Sequence, residues 1–301
     1  MSRRDFTVNS LAYSPNTGLV DLFGGANDIK NKLIRCVGTP EERFHEDALR
    51  IMRALRFAAV LDFGIDALTA DAIVSCRSLL ANISVERITA ELNKILTSEN
   101  PAPILSEYYN VFTEIIPELS CVSSGFYSIL EALASIKPDL YMRLTAFLCC
   151  SDKFAACPNT VSDALRALKY DNVTIQTVSL LNSFLYTHIE ADKISIKMLL
   201  NKLGTENFQR LVGLKIALSD SHNEQRRLAE AENICNHIIA NRECFTIKAL
   251  AVSGLDLINI GVSKGKDVGN ALDFLLKSVI EEKCPNDKNE LLYYYKCCHS
   301  I

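Results

Sequence analysis

The sequence lacks any apolar run long enough to cross a bilayer, and no basic-then-apolar signal segment opens it. These absences favour a soluble globular protein, for which the cytosol is the expected compartment. Hydrophobic residues make up 49% of the 301 positions, so the chain can bury a sizeable core. A chain of this length can also divide into two or more packed units.

Cys-x-x-Cys pairs are missing, although the chain has 11 cysteines. The cysteines are scattered through a long Leu- and Ile-rich chain, so we expect reduced and mostly buried thiols rather than a disulfide scaffold. The run Cys297-Cys298-His299 offers metal-binding side chains. Adjacent ligands near a chain terminus make a poor tetrahedral site, so the simpler interpretation, without a metal, is preferred.

A basic excess is also missing, because 32 Lys and Arg residues face 36 Asp and Glu residues and the formal net charge is −4. The whole protein therefore offers no general attraction to nucleic acid. Any RNA binding must come from local clusters of basic side chains.

No Pro-, Gly- or Ser-rich linker, short repeat or low-complexity tract divides the chain. The first forty residues are rich in glycine and contain two short β-prone runs, Leu19 to Asp21 and Leu33 to Val37. They are typical of a piece of an α/β domain. Such a small piece cannot form a complete sheet and hydrophobic core, so we expect it to pack against strands that this chain lacks.

From Glu41 onward the apolar residues follow helical spacing almost to the end of the chain. The predicted fold class is therefore mainly α, preceded by a small α/β segment. Breaks between helices are predicted at Asp62 to Gly64, Asn100 to Pro103, Lys137 to Asp139, Pro158 to Thr160 and Gly261 to Gly269.

One cluster of charged residues stands at the head of the helical part, where Asp47, Arg50, Arg53 and Arg56 follow at steps of three. On an α-helix they share one slowly drifting stripe and form an anion site with an acceptor at its edge. The alternative is a solvated face with an Asp47–Arg50 ion pair worth about a few tenths of a kcal/mol. Arginines that repel each other favour a bound polyphosphate, which relieves that repulsion.

A second cluster lies at the start of the chain, where Arg3 and Arg4 precede Asp5, Thr7 and Asn9. The last three side chains suit helix capping or a ribose hydroxyl. If a helix begins here, its free N–H groups favour phosphate. Taken alone, the simpler interpretation is a set of solvated basic residues.

These clusters belong to motifs that resemble, in order and spacing, those of class II CCA-adding enzymes and the related bacterial poly(A) polymerases. The motifs are Arg3-Arg4-Asp5-Phe6-Thr7-Val8-Asn9, Asp21-Leu22-Phe23-Gly24-Gly25 with Asp28, Ile34-Arg35-Cys36-Val37-Gly38, Arg43-Phe44 and Glu46-Asp47-Ala48-Leu49-Arg50. Two further stretches are similar to the neck and the tail of that family: Ser84-Val85-Glu86-Arg87-Ile88 with Glu91-Leu92, and Ser253-Gly254-Leu255-Asp256-Leu257 with Gly261, Gly265-Lys266 and Gly269. From about Asn100 to Leu250 the resemblance rests on helical character only.

The resemblance implies a nucleotidyltransferase head followed by helical neck, body and tail. We assign residues 1–38 to a remnant of the head, 39–98 to a nucleotide-selecting and RNA-binding neck, 99–203 to the body and 204–301 to a tRNA-binding tail. The implied activity is addition of C, C and A to the tRNA 3′ end without a nucleic-acid template. The implied partners are tRNA, CTP and ATP, with Mg²⁺ as cofactor, while the oligomeric state is left open.

By resemblance, Arg4 contacts the triphosphate, Asp5 contacts the ribose, and Asp47 with Arg50 forms a protein template for the incoming base. Arg53 and Arg56 line the phosphate side of the same cleft, and Asn9 completes the expected nucleotide-binding set. Cytosine and adenine both present an exocyclic amine beside an unprotonated ring nitrogen, so one carboxylate and one guanidinium can serve both.

One departure concerns the metal site. Family members carry an Asp-x-Asp pair upstream of the Arg-Arg-Asp motif, and that pair holds the metal ions that activate the attacking 3′-hydroxyl. The chain contains no Asp-x-Asp, and its closest substitutes, Glu190-Ala191-Asp192 and Glu230-Ala231-Glu232, lie within the helical part. We therefore assign no catalytic and no metal-binding residue in this chain and expect it to be truncated and catalytically incomplete.

Two other functions stay open at this point. A poly(A) polymerase shares the same motifs and would make a long product from ATP alone. A non-catalytic RNA-binding module would bind tRNA without incorporating nucleotides. The glycines and lysines between Gly254 and Gly269 fit helix ends as well as they fit contacts with the tRNA backbone.

Overall fold

The structure, a computed structural model, describes residues 3–16, 18–156 and 158–299. It is mainly helical, with four short strands among the described residues, so the predicted fold class is confirmed. The chain forms two compact units, Met1–Tyr186 and Thr187–Ile301. Of the helices that these residues form, none combines the length and the apolar character needed to span a membrane.

The first unit begins with the small α/β part that the sequence predicts. Strands β1 (Ala12–Ser14) and β2 (Gly18–Val20) form an antiparallel pair, whereas β3 (Leu33–Ile34) and β4 (Gly64–Ile65) pair in parallel. Helix α1 (Gly25–Lys30) connects β2 to β3. Strands β2 and β3 overlap the two predicted β-prone runs, whereas β1 and β4 lie outside them.

The remainder of the first unit is helical. Its helices are α2 (Pro40–Glu46), α3 (Leu49–Leu61), α4 (Ala67–Cys76), α5 (Val85–Leu96), α6 (Ala102–Glu107), α7 (Tyr109–Ile115), α8 (Phe126–Ser135), α9 (Leu140–Leu148), α10 (Asp152–Ala156), α11 (Pro158–Ala167) and α12 (Asn172–Leu185). Short 3-10 helices span Thr7–Asn9, Arg77–Asn82 and Pro117–Ser120. Helix α3 buries Ile51, Met52 and Leu55 completely and packs along α5. The apolar spacing of α3 therefore predicts its buried face correctly.

The Asp21-to-Gly25 motif has a structural role. The carboxylate of Asp21 accepts hydrogen bonds from the backbone N–H groups of Gly25 and Ala26, each at 2.9 Å, and so caps the start of α1. These hydrogen bonds also lower the pKa of Asp21. At Gly25, a Cβ atom would lie 2.1 Å from the carbonyl oxygen of Thr7, so only glycine allows this approach.

A buried ion pair links α1 to β3 and to the start of the chain. The carboxylate of Asp28 is 1% exposed and accepts hydrogen bonds from Nε and Nη2 of Arg35, at 3.0 and 2.8 Å. The hydroxyl of Thr7 donates to the same carboxylate at 2.5 Å. Such a two-pronged contact fixes geometry as well as charge. It holds the N-terminal segment against the α/β part.

The second unit contains five helices among its described residues. They are α13 (Lys193–Leu218), α14 (His222–Ala240), α15 (Gly254–Asn259), α16 (Lys266–Ile280) and α17 (Lys288–His299), with a 3-10 helix at Ile247–Ala249. Helix α13 packs along α14 and is kinked at Gly204, where φ is 73°. The predicted body–tail division at 203/204 falls on this kink, whereas the compact unit begins at Thr187. The four-segment division stays a prediction.

The predicted helix breaks are only partly correct. Helix α3 ends at Leu61, and the next residue, Asp62, adopts a left-handed φ of 55°. Helices α8 and α9 are separated at Lys137 to Asp139, as expected. The break predicted at Pro158 to Thr160 is displaced, because α10 ends at Ala156 and α11 already begins at Pro158. Proline is tolerated in a first helical turn, where its missing N–H costs no intrahelical hydrogen bond. Gly269, predicted to lie in a break, is inside α16.

The prediction of reduced, mostly buried cysteines is confirmed for the ten that the structure describes, while Cys157 lies outside the described residues. Seven are buried and three are exposed, and all ten are free thiols. Burial raises the pKa of Cys36 and of Cys149 to about 12. These buried thiols are thus unreactive at neutral pH.

Candidate functional site

Asp47 lies at the corner between α2 and α3 rather than on a helix. Its backbone is extended, with φ −152° and ψ 102°, and its Oδ1 accepts a hydrogen bond from the N–H of Leu49 at 3.1 Å. The prediction that Asp47 shares one helical stripe with the three arginines is therefore wrong. The physical reason is that a short carboxylate beside a helix start binds the unpaired N–H groups of the first turn.

Arg50 occupies the first turn of α3 and is held on two sides. Its Nε lies 3.3 Å from Oδ1 of Asp5, and its Nη1 donates to Oε2 of Glu46 at 2.6 Å and to the carbonyl of Arg43 at 3.0 Å. The guanidinium group of Arg50 also lowers the pKa of Glu46, with a smaller contribution from Arg43. The orientation of Arg50 is thus fixed by the protein itself.

Asp5 joins the two predicted clusters. Its Oδ2 accepts a hydrogen bond from Nε of Arg53 at 2.6 Å, while its Oδ1 faces Arg50. Phe6, fully buried, packs edge-on against Phe57 of α3 with ring centroids 5.7 Å apart. The Arg-Arg-Asp motif and the α3 arginines, 48 residues apart in sequence at Asp5 and Arg53, therefore form one site.

Arg56 and Asp47 both reach across to helix α5. Nε of Arg56 lies 2.5 Å from Oε2 of the buried Glu91, in an ion pair whose alignment does not make a hydrogen bond, and the Arg56 guanidinium stacks over Phe57. One turn earlier on α5, Nη2 of Arg87 donates to Oδ2 of Asp47 at 3.1 Å. Helix α5 therefore supplies a partner both to Asp47 and to Arg56, the first and last residues of the predicted cluster.

These contacts bear on the predicted repulsion among Arg50, Arg53 and Arg56. Each α3 arginine has a carboxylate partner: Asp5 and Glu46 for Arg50, Asp5 for Arg53 and Glu91 for Arg56. The repulsion is therefore offset within the protein and does not itself require a polyphosphate. The alternative ion pair of Asp47 with Arg50 is replaced by the pair of Asp47 with Arg87.

Sequence reasoning did not identify Glu46, Arg87 or Glu91 as partners of the site. The four-residue spacing of Glu46 and Arg50 is a local signal that could have shown the first. Arg87 and Glu91 also stand four residues apart, so they share a face of α5. No local pattern tells which helix that face meets.

The N-terminal cluster does not provide a helix start for phosphate. Residues Thr7–Asn9 form a single 3-10 turn rather than an α-helix, in which the Thr7 N–H donates to the carbonyl of Arg35 and the Asn9 N–H to that of Phe6. Oδ1 of Asn9 accepts the N–H of Phe6 at 3.3 Å, so Asn9 closes the turn. The α-helix on which the expected phosphate site depends does not begin here, whereas Arg4 is exposed and reachable by a ligand.

The described residues do not fit a divalent cation. Over 3–16, 18–156 and 158–299, no group of three or more His, Cys, Asp or Glu side chains converges to hold a metal ion. Nucleotidyltransferases of this kind generally use a divalent metal. Its ligands have no counterpart in this part of the molecule, and we assign it no step here.

Three family models match the chain. Residues 143–294 match tRNA nucleotidyltransferase domain 2, putative, which is half of the chain. Residues 62–122 match the probable RNA and SrmB-binding site of polymerase A, and residues 1–35 match the poly A polymerase head domain. The motifs at Arg3 to Asn9, Asp21 to Asp28 and Ser84 to Leu92 lie within the second and third matches, whereas the Glu46-to-Arg50 motif lies between them.

Curated relatives and a solved structure agree with the family models. The CCA-adding enzyme of Levilactobacillus brevis is 32% identical, across 97% of this chain and 70% of the relative, and that of Ligilactobacillus salivarius is 32% identical with the same coverage. The crystal structure of the Bacillus stearothermophilus CCA-adding enzyme in complex with CTP superposes with a TM-score of 0.75 at 26% identity, covering 99% of this chain and 73% of that one. The chain belongs to the CCA-adding enzyme family.

Proposed function

We propose that this chain serves the addition of C, C and A to the 3′ end of tRNA from CTP and ATP, without a nucleic-acid template. The observation that carries the proposal is the convergence of Asp5, Arg50 and Arg53 beside Asp47 at the α2–α3 corner. Family membership supports it, as does the CTP complex of the Bacillus stearothermophilus relative.

Asp47 and Arg50 select the base. The contacts of Arg50 with the described residues use Nε and Nη1, which leaves Nη2 to donate to the unprotonated ring nitrogen of cytosine or adenine. The Asp47 carboxylate accepts Leu49 N–H and Arg87, and its remaining lone pairs accept the exocyclic amine.

Uracil and guanine present the opposite pattern, a carbonyl oxygen beside a protonated ring nitrogen. A carboxylate cannot donate to that oxygen, and a guanidinium cannot accept that proton. Each group left without a partner costs about 1 to 3 kcal/mol, or about 5- to 150-fold in affinity. Two mismatched groups therefore suffice for discrimination.

The sugar and phosphates occupy the side of the site nearer the chain start. Arg4 is exposed and binds the triphosphate, with Arg53 and Arg56 along the same face of α3. Asp5 retains acceptor capacity beside Arg50 and Arg53 for a ribose hydroxyl. A triphosphate also competes with Asp5 and Glu91 for the guanidinium groups, because phosphate forms strong charge-assisted hydrogen bonds with arginine.

Mg²⁺ supplies activation of the attacking hydroxyl and charge neutralisation in this chemistry. The described residues contribute selection and orientation of the nucleotide. They also supply the helical surface that meets tRNA, through the regions matched by the polymerase A and tRNA nucleotidyltransferase models.

Binding of each nucleotide to the purified chain tests base selection without requiring turnover. We expect CTP and ATP to bind at least about fivefold more tightly than UTP and GTP, and Asp47→Ala to abolish that preference. Asp62→Ala is the matched control, because Asp62 is an exposed carboxylate at the other end of α3. Equal affinity for CTP and UTP in the unmodified chain would contradict the proposal.

Incorporation tests the reaction. Labelled CTP and ATP are offered with Mg²⁺ to tRNA that ends before CCA, with this chain alone and with this chain joined to a segment that carries the Asp-x-Asp pair. Three added nucleotides support CCA addition, while tRNA binding without nucleotide binding supports a non-catalytic RNA-binding module. A poly(A) polymerase is the second candidate, because two family models that match this chain carry that description. A long product from ATP alone would favour it.

A further inference from the structure

Arg87 lies outside the expected nucleotide-binding set and contacts Asp47, its carboxylate member at the α2–α3 corner. Its Nη2 lies 3.1 Å from Oδ2 of Asp47, across a separation of 40 residues. Asp47 has an extended backbone and does not belong to either flanking helix. The carboxylate of Asp47, which we propose selects the base, is therefore held by a residue of helix α5.

The helix that presents Arg87 is firmly placed. Helix α5 packs along α3 and buries Ile88, Leu92 and Ile95. One turn after Arg87, the buried carboxylate of Glu91 pairs with Arg56 of α3. Arg87 and Glu91 share one face of α5. The contact of Glu91 with Arg56 therefore fixes the position of Arg87 along α3, opposite Asp47.

The two oxygens of Asp47 are held differently. Oδ1 is bound by the Leu49 N–H, which belongs to the same corner. Oδ2 is bound by Arg87, so a second restraint on the rotation of the carboxylate comes from α5. A carboxylate that rotates freely can turn a lone pair toward several positions, and a fixed one accepts from one direction.

We propose that Arg87 is a positioning residue for base choice, which orients the Asp47 carboxylate so that it accepts the exocyclic amine of cytosine or adenine. This inference rests on the proposed role of Asp47. Arg87 does not itself contact the nucleotide. Its loss reduces discrimination between bases, while the triphosphate contacts of Arg4, Arg53 and Arg56 are kept.

The test compares the affinities of CTP and UTP for variants of the intact chain. Arg87→Met removes the guanidinium and keeps a long side chain, and Arg87→Lys restores a positive charge without the planar fork. Arg77→Met is the matched control, because Arg77 forms a comparable, partly exposed pair with Glu114 at 3.1 Å in the same unit. Asp47→Ala is measured alongside, and circular dichroism checks folding.

The readout is the ratio of the CTP and UTP affinities, which a general loss of stability does not change. We expect the ratio to fall about fivefold in Arg87→Met, less in Arg87→Lys, and not at all in Arg77→Met. An unchanged ratio in both Arg87 variants would overturn the inference, as would an equal loss of CTP and UTP binding. If Asp47→Ala also leaves the ratio unchanged, the proposed function itself fails.

Discussion

The backbone of Gly25 approaches the backbone of Thr7 closely, and this contact predicts the effect of replacing the glycine. Replacing Gly25 by alanine would put a Cβ atom 2.1 Å from the Thr7 carbonyl oxygen and 2.8 Å from its carbonyl carbon. Both atoms belong to the backbone, so no side-chain rotation relieves the clash. Either the start of α1 or the Thr7–Asn9 turn must move by at least about 1.3 Å to reach ordinary van der Waals contact.

The loss of folding stability depends on how firmly the Thr7–Asn9 turn is held. Overpacking of this kind costs about 1 to 3 kcal/mol when the surroundings yield, and more when they do not. Thr7 is held by its hydrogen bonds to Arg35 and to the buried Asp28, so the turn resists displacement. For a unit of this size, that cost lowers the melting temperature by about 2 to 12 °C.

A movement of Thr7 also moves Asp5, which lies two residues earlier and bridges Arg50 and Arg53. We therefore expect Gly25→Ala to weaken CTP binding in addition to lowering the melting temperature. Differential scanning calorimetry and CTP titration measure the two effects.

Gly269→Ala is the control for the glycine replacement. Gly269 lies inside α16, and a Cβ atom there meets nothing within 4 Å. Alanine in a helix interior is about 1 kcal/mol better than glycine, so this variant should be stabilised. A Gly25→Ala protein with an unchanged or raised melting temperature would refute the argument from close approach.

Three further predictions concern buried charge, pH and thiol reactivity. Asp28→Asn removes the charge that pairs with Arg35, and we expect unfolding by urea to become easier by about 1 to 3 kcal/mol. Hydrogen bonds from Lys288 and Ser253 lower the pKa of Asp256 to about 2. The stability that they give is complete above the usual pKa of about 4 and is lost as the pH falls toward 2, so Asp256→Asn should flatten the pH dependence of unfolding in that window. In the folded protein, iodoacetamide at pH 8 should label the exposed cysteines and spare the buried ones, as mass spectrometry of peptides would show. The exposed set is Cys121, Cys297 and Cys298.

The helical part of the fold follows from local signals, and the assembly of the site does not. The spacing of Ile51, Met52 and Leu55 fixes the buried face of α3 because helical period and burial coincide there. The steps of three from Asp47 to Arg56 also match the helical period, so they suggest one continuous stripe of charged side chains. The stripe fails at Asp47, since the carboxylate binds the N–H of Leu49 and helix α3 begins after it.

The contacts that complete the site join residues far apart in sequence. Arg87 and Asp47 are 40 residues apart, and Arg53 and Asp5 are 48 residues apart. Each contact depends on how α5 or the N-terminal turn packs on α3, which helical periodicity does not encode. The division at Tyr186 and Thr187 was missed for a similar reason, because no change in composition marks a boundary that packing alone creates.

The N-terminal motifs depend on one another through a single network. Gly25 allows α1 to approach Thr7, Thr7 donates to Asp28, and Asp28 is held by Arg35. Gly25, Asp28 and Arg35 thus hold the segment that carries Asp5. That segment places the Asp5 carboxylate between Arg50 and Arg53. A substitution anywhere in the network should therefore act on nucleotide binding through the position of Asp5.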